Sequence, residues 1–177
     1  MLAKLTAVAA SAVAGGIVLV APAAGVQQGP PCASPTITGS GTIVGTNGDD
    51  VILGSAGSDV ILGGNGDDEI CAGGGGDVID GGNGNDEIHS QEGNDEAAGG
   101  NGDDSVAGGP GTDVVRGGNG DDNLLGGAGN GDQVAGERGD DAMLGGPGTA
   151  DACDGGPGND TAETVGTEAC EVVTDVP

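Results

Sequence analysis

Thirteen aspartates fall at the same place in consecutive short blocks: Asp50, Asp59, Asp68, Asp77, Asp86, Asp95, Asp104, Asp113, Asp122, Asp132, Asp141, Asp151 and Asp160. Each has a glycine two residues before it, or three in the two blocks that carry an extra residue. A carboxylate offers only hard oxygen donors, and a glycine turn beside it lets backbone carbonyls crowd toward one centre. Oxygen-only donor sets suit hard cations such as Ca²⁺, whereas zinc or copper would call for clusters of His and Cys. The chain has a lone His89, so the chemistry its spacing favours is hard-cation binding.

The elements that position these acids are nonapeptide blocks beginning at Gly45. They run GTNGDDVIL, GSAGSDVIL, GGNGDDEIC, AGGGGDVID, GGNGNDEIH, SQEGNDEAA, GGNGDDSVA, GGPGTDVVR and GGNGDDNLL without a gap through residue 125. GGAGNGDQVA, GERGDDAML, GGPGTADACD and GGPGNDTAE complete the series at residue 163, two of them one residue longer. The eighth position is the consistent apolar one, from Ile52, Ile61 and Ile70 through Val106 and Leu124 to Met143, Cys153 and Ala162. A single inward residue between variable neighbours predicts a very short strand. A helix is excluded, because each interior glycine would cost about 1 kcal/mol relative to Ala and no apolar stripe recurs at helical spacing.

Composition narrows the classes further. Phe, Tyr and Trp are absent, glycine contributes 43 of 177 residues, and 29 acids face three Lys or Arg. Such a composition favours disorder when the sequence is irregular; fixed positions of Gly, Asp and the aliphatic argue against that here. Residues 1–24 read as a secretory signal peptide, with Lys4 before an apolar run and APAA at the end. Without them 29 acids face only Arg116 and Arg138, a formal charge of −27. That surface repels nucleic acid and anionic lipid and attracts cations. No second apolar stretch is present, so no membrane insertion is expected after cleavage.

The blocks resemble the Ca²⁺-binding nonapeptide, G-G-x-G-x-D-x-U-x, of repeats-in-toxin or haemolysin-type proteins over residues 45–163. The resemblance implies an all-β fold, a right-handed parallel β-roll in which two nonapeptides form one coil and turns of adjacent coils hold Ca²⁺. Thirteen blocks would give about six and a half coils and a length on the order of 30 Å. It also implies that the thirteen aspartates above supply the carboxylate ligands for several calcium ions. The inward aliphatic column is too thin to hold the fold by burial alone, so folding is expected to depend on the metal. The fifth-position acids Asp49, Asp67, Asp103, Asp121 and Asp140 are read as solvated, with outer charge as the alternative.

The pattern frays in places. Residues 90–98, SQEGNDEAA, lack the leading glycines, so a weak or missing site is expected there. Inserted residues near Gly131 and Ala150 should bulge their turns. Arg138 stands in a turn, either at the surface or offsetting a neighbouring carboxylate. Residues 25–44 form an N-terminal extension and cap, within which 36–44 are a degenerate block, and residues 164–177 form a C-terminal tail and cap. Cys32, Cys71, Cys153 and Cys170 suit an oxidising compartment. Local latching would pair Cys32 with Cys71 and Cys153 with Cys170. The sequence permits three pairings, besides free or intermolecular thiols.

No nucleophile setting or acid–base pair is recognisable, and His89 lies at an outward position among acids, so no enzyme is expected. No broad exposed apolar patch is evident. The reading is a secreted, extracellular or cell-surface calcium-binding repeat protein. The alternative is a structural or adhesive scaffold facing a cell wall, matrix or protein partner.

Overall fold

A computed structural model describes residues 31–162, 170 and 172–174. The signal peptide expected over residues 1–24, residues 25–30 of the expected N-terminal extension and most of the expected tail of residues 164–177 lie outside the described residues. Alternation between turn and strand yields β1 (Ile37–Thr38), β2 (Thr42–Val44), β3 (Val51–Ser55), β4 (Val60–Asn65), β5 (Glu69–Gly75), β6 (Val78–Asn83), β7 (Glu87–Gly93) and β8 (Glu96–Asn101). The series continues with β9 (Ser105–Gly111), β10 (Val114–Asn119), β11 (Asn123–Gly129), β12 (Gln133–Arg138), β13 (Ala142–Leu144), β14 (Ala152–Asp154), β15 (Thr161–Ala162) and β16 (Val172–Thr174). No helix occurs among the described residues.

Every strand pairs in parallel with the next but one. Odd-numbered strands build one eight-stranded sheet and even-numbered strands the other. Two blocks therefore make one coil, as the register Ile52 to Ile70 to Ile88 to Val106 requires. The two sheets face each other across a core one residue wide. Ile52, Ile70, Ile88, Val106, Leu124 and Met143 come from the odd sheet, and Ile43, Ile61, Ile79, Ala97, Val115, Val134 and Cys153 from the even one. The fold is the expected all-β parallel β-roll.

Central strands are longer than the very short strands the sequence suggested. From β4 to β12 they run for six or seven residues, into the leading glycines of the next block. Turn residues of neighbouring coils lie in register, Gly64 with Gly82 and Asn65 with Asn83, so the backbone ladder continues past the side chains that started it.

The leading glycines have two different reasons to be glycine. At the first position the backbone is not left-handed; the need is space. A Cβ on Gly63 would collide with the carbonyl of Gly81 and lie 2.6 Å from the Asp68 Oδ2. At the second position φ is positive, 119° at Gly64 and 112° at Gly82. In the first two blocks Thr46 and Ser55 hold this place without a positive φ, whereas Gln91 and Glu137 hold it at φ 71° and 74°, in a region that non-glycine residues occupy at a cost.

Disulfides join Cys32 to Cys71 and Cys153 to Cys170, with Cα separations of 6.1 and 5.6 Å. Cys71 is at an outward position yet fully buried, since the segment bearing Cys32 lies over it. The Cys32 N–H donates to the Glu69 Oε1 at 2.6 Å. Cys153 and Cys170 instead join the core. Residues 36–44 supply β1 and β2, with Ile43 inward.

Contrary to the sequence reading, four apolar side chains do gather on one outer face. Val44, Val60, Leu62 and Val78 are exposed on β2, β4 and β6. The register brings Val60 beside Val78 and Val44 beside Leu62, a proximity that blocks read singly could not reveal.

Candidate functional site

Because the chain crosses between sheets twice per coil, the roll has two edges of stacked turns. The first edge carries Asp50, Asp68, Asp86, Asp104, Asp122, Asp141 and Asp160, in turns that lead into odd strands. The second carries Asp59, Asp77, Asp95, Asp113, Asp132 and Asp151, in turns that lead into even strands. All thirteen are buried, none more than 7% exposed.

Each column is held by its own backbone. The Asp68 Oδ1 accepts the Asp50 N–H at 2.8 Å, the Asp86 Oδ1 accepts the Asp68 N–H, and the series continues to Asp160. The second edge repeats the device from Asp59 to Asp151. One oxygen of each carboxylate from Asp68 onward is thereby used, whereas the Oδ1 atoms of Asp50 and Asp59, which begin the columns, accept from the Thr36 hydroxyl and the Gly41 N–H. The other oxygen differs along the column. In Asp50 it accepts the Thr46 N–H at 2.6 Å, and in Asp59 it accepts the Ser55 N–H and hydroxyl at 2.8 and 2.9 Å. In the eleven carboxylates from Asp68 onward it is buried with no hydrogen-bond partner.

A buried oxygen without a partner carries the full cost of desolvation. Burial pushes the carboxyl of Asp104 up to about 7 and those of Asp86, Asp113 and Asp122 to about 6, against the lowering effect of the backbone hydrogen bonds. Asp68, Asp77, Asp95, Asp132 and Asp141 shift the same way, also chiefly through burial. Neighbouring carboxylates add to each rise. Asp59 goes down, since hydrogen bonds from Gly41 and Ser55 outweigh its burial.

These orphaned oxygens fit a hard cation in donor type and in charge. Among the described residues no three His, Cys, Asp or Glu side chains converge on one point. Carboxylates arrive one per coil at each edge, so a cation there would draw its remaining oxygens from the turn backbone.

An outer ladder lies beside each inner column, which the sequence reading missed. At the first edge the Asp49 Oδ1 accepts the Asp67 N–H at 3.0 Å, and Asp67, Asn85, Asp103, Asp121 and Asp140 continue the pattern. The fifth-position acids are exposed, as expected, yet each caps the next coil. Asn47, Asn65, Asn83, Asn101 and Asn119 form a third line through amide hydrogen bonds of 2.8–2.9 Å. Asparagine holds this third position only in odd-numbered blocks, and that alternation was the available signal.

The inserted residues Gly131 and Ala150 both have positive φ, and they stack: the Gly131 N–H donates to the Thr149 carbonyl at 2.9 Å. Asp132 and Asp151 consequently stay in their column. Ser90, at a first position otherwise held by Gly or Ala, has a fully buried hydroxyl without a hydrogen-bond partner. Arg138 is exposed, in register with Asn119. The His89 Nε2 lies 3.2 Å from the Glu87 Oε1 on an outer face, away from both columns. A shallow groove of about 380 Å³ also lies off the columns, lined by Asp80, Asn83, Asn101, Arg116, Asn119 and Glu137 among others.

No curated protein and no solved structure matches the chain. The family model for the RTX calcium-binding nonapeptide repeat matches four times, over residues 37–70, 70–97, 98–132 and 131–162. Those segments take in most of the chain and both carboxylate columns, so the protein belongs to the RTX calcium-binding nonapeptide repeat family.

Proposed function

We propose that this is a secreted calcium-binding protein without catalytic activity, whose folding is coupled to uptake of several Ca²⁺ ions at the two edges. The thirteen sixth-position aspartates, Asp50 to Asp160, are the carboxylate ligands. The observation that carries this reading is the row of eleven buried carboxylate oxygens without partners. Calcium, when bound, supplies the positive charge and the oxygen-seeking coordination that this row lacks. The chain's own residues do the rest. The Oδ1 ladder fixes the orientation of each carboxylate from Asp68 onward, and the first-position glycines leave room for Oδ2. The core column aligns successive coils.

Coupling follows from the energetics. One aliphatic per half-coil is little apolar surface, and stacked carboxylates repel one another without counter-charge. Free energy of metal binding then becomes free energy of folding. The turn at Asp95 is the weak point of its column, because Ser90 and Gln91 replace the two leading glycines. The two disulfides support an extracellular setting.

Calcium titration followed together by calorimetry and far-UV circular dichroism tests the proposal. The expected result is uptake of several ions, at about 10⁻⁴ to 10⁻³ M for an extracellular module, with β signal appearing in step. A chain that bound no calcium, or kept its full β signal in excess chelator at neutral pH, would defeat it.

A further inference from the structure

The two edges share an inner column and differ outside it. At the first edge Asp49, Asp67, Asp103, Asp121 and Asp140 each stand directly before an inner aspartate. At the second edge the corresponding residues are Ser58, Gly76, Asn94, Thr112, Asn130 and Thr149, none of them charged. Glu92 is the one acid among the third positions there, and Arg138 at the first edge is adjacent to Glu137.

The charge of the outer acids is not needed for their hydrogen bond. Asn85 sits in the same ladder, accepting the Asp103 N–H at 2.9 Å and donating its own N–H to Asp67 at 2.8 Å. The second edge builds the same contact without charge: the Asn94 Oδ1 accepts the Thr112 N–H at 3.0 Å, and the Ser58 Oγ accepts the Gly76 N–H at 3.1 Å. Five carboxylates stacked in one line repel each other, and the backbone cap would be equally well served by amides. What they add is negative potential beside inner carboxylates that each retain a buried oxygen without a partner.

We infer that the roll carries two unequal classes of divalent-cation site, with the first edge filling at lower cation concentration than the second. This rests on the calcium reading of the inner columns and assigns a role to residues outside them. The outer acids are exposed, so their influence is screened by salt, and the gap between the classes narrows as ionic strength rises.

Calorimetric titration of the whole chain with Ca²⁺ alone at low ionic strength tests this. Two binding steps are expected. The triple variant Asp67→Asn, Asp103→Asn and Asp121→Asn keeps the caps, as Asn85 does, and should weaken the tighter step by on the order of tenfold while sparing the weaker one. The converse pair Asn94→Asp and Thr112→Asp should tighten the weaker step. Circular dichroism at saturating Ca²⁺ checks that each variant folds; if the triple variant does not, the converse pair decides. One class of site in the parent chain, or equal shifts of both steps in either variant, overturns the inference. Absence of any calcium uptake would instead remove the reading beneath it.

Discussion

The central coils, from β4 to β12, and the last ones, from β13 to β15, solve the same problem in opposite ways. Central strands have six or seven residues and pair through their turns, whereas the final strands have two or three. The central coils also hold the four carboxyl groups raised furthest, Asp86, Asp104, Asp113 and Asp122. The best hydrogen-bonded part of the molecule is thus the part most in need of counter-charge. Regular stacking lengthens the backbone ladder and sets buried carboxylates such as Asp104 and Asp113 between charged neighbours from the coils on both sides. At the C-terminal end, where pairing is short, Cys153 and Cys170 tie the chain to the core.

Acidification should produce the largest effect. Carboxyls whose folded values are raised bind protons more tightly in the roll than in the unfolded chain. Their stabilisation is complete below about pH 4 and is lost as pH rises through 6 to 7. Without divalent cations, circular dichroism should therefore show more β structure at pH 4 than at pH 8. Asp59, lowered, opposes this weakly, since its contribution is lost on acidification. A metal-free chain better ordered at pH 8 would contradict the account of the central coils.

Core truncation comes next. Ile88, fully buried between Ile70 and Val106, should cost about 4 kcal/mol when changed to Ala, and Met143→Ala about half as much because the end can collapse around the gap. Calcium-saturated denaturant unfolding reads both; equal costs would dissolve the distinction between centre and end. Removing the C-terminal latch by Cys153→Ala with Cys170→Ala should cost about 3 kcal/mol for its short loop. Hydrogen exchange should then quicken in β13 and β14 while β6–β10 stay protected. The smallest effect is a gain. Gln91→Gly should stabilise the central coils by about 1 kcal/mol, since the left-handed backbone there suits glycine. A loss would show that the Gln91 side chain contributes more than its strain costs.

The residues that repeat every nine were legible in the sequence. Ile52 and its successors declared the core, and Asp50 and its successors declared the columns, because each role recurs in every block. Roles that depend on the neighbouring coil were harder to see. The capping of Asp67 by Asp49, the asparagine line from Asn47 to Asn119 and the patch at Val44, Val60, Leu62 and Val78 all need block n beside block n + 2. The division of labour between the two leading glycines was hidden as well, since space and backbone handedness select the same residue. The disulfide pairs followed from proximity in the chain, which the roll preserves.

The alternation of odd and even blocks limits how such a chain can change length. Excising residues 81–98 would join Asp80 to Gly99 and return every later residue to the edge and sheet it now occupies. Excising only nine would transfer everything downstream to the opposite side, setting asparagines against prolines and charged caps against neutral ones. The smallest segment this protein can gain or lose without scrambling its neighbours is a full coil, a rule that applies to tandem duplication and to laboratory shortening alike.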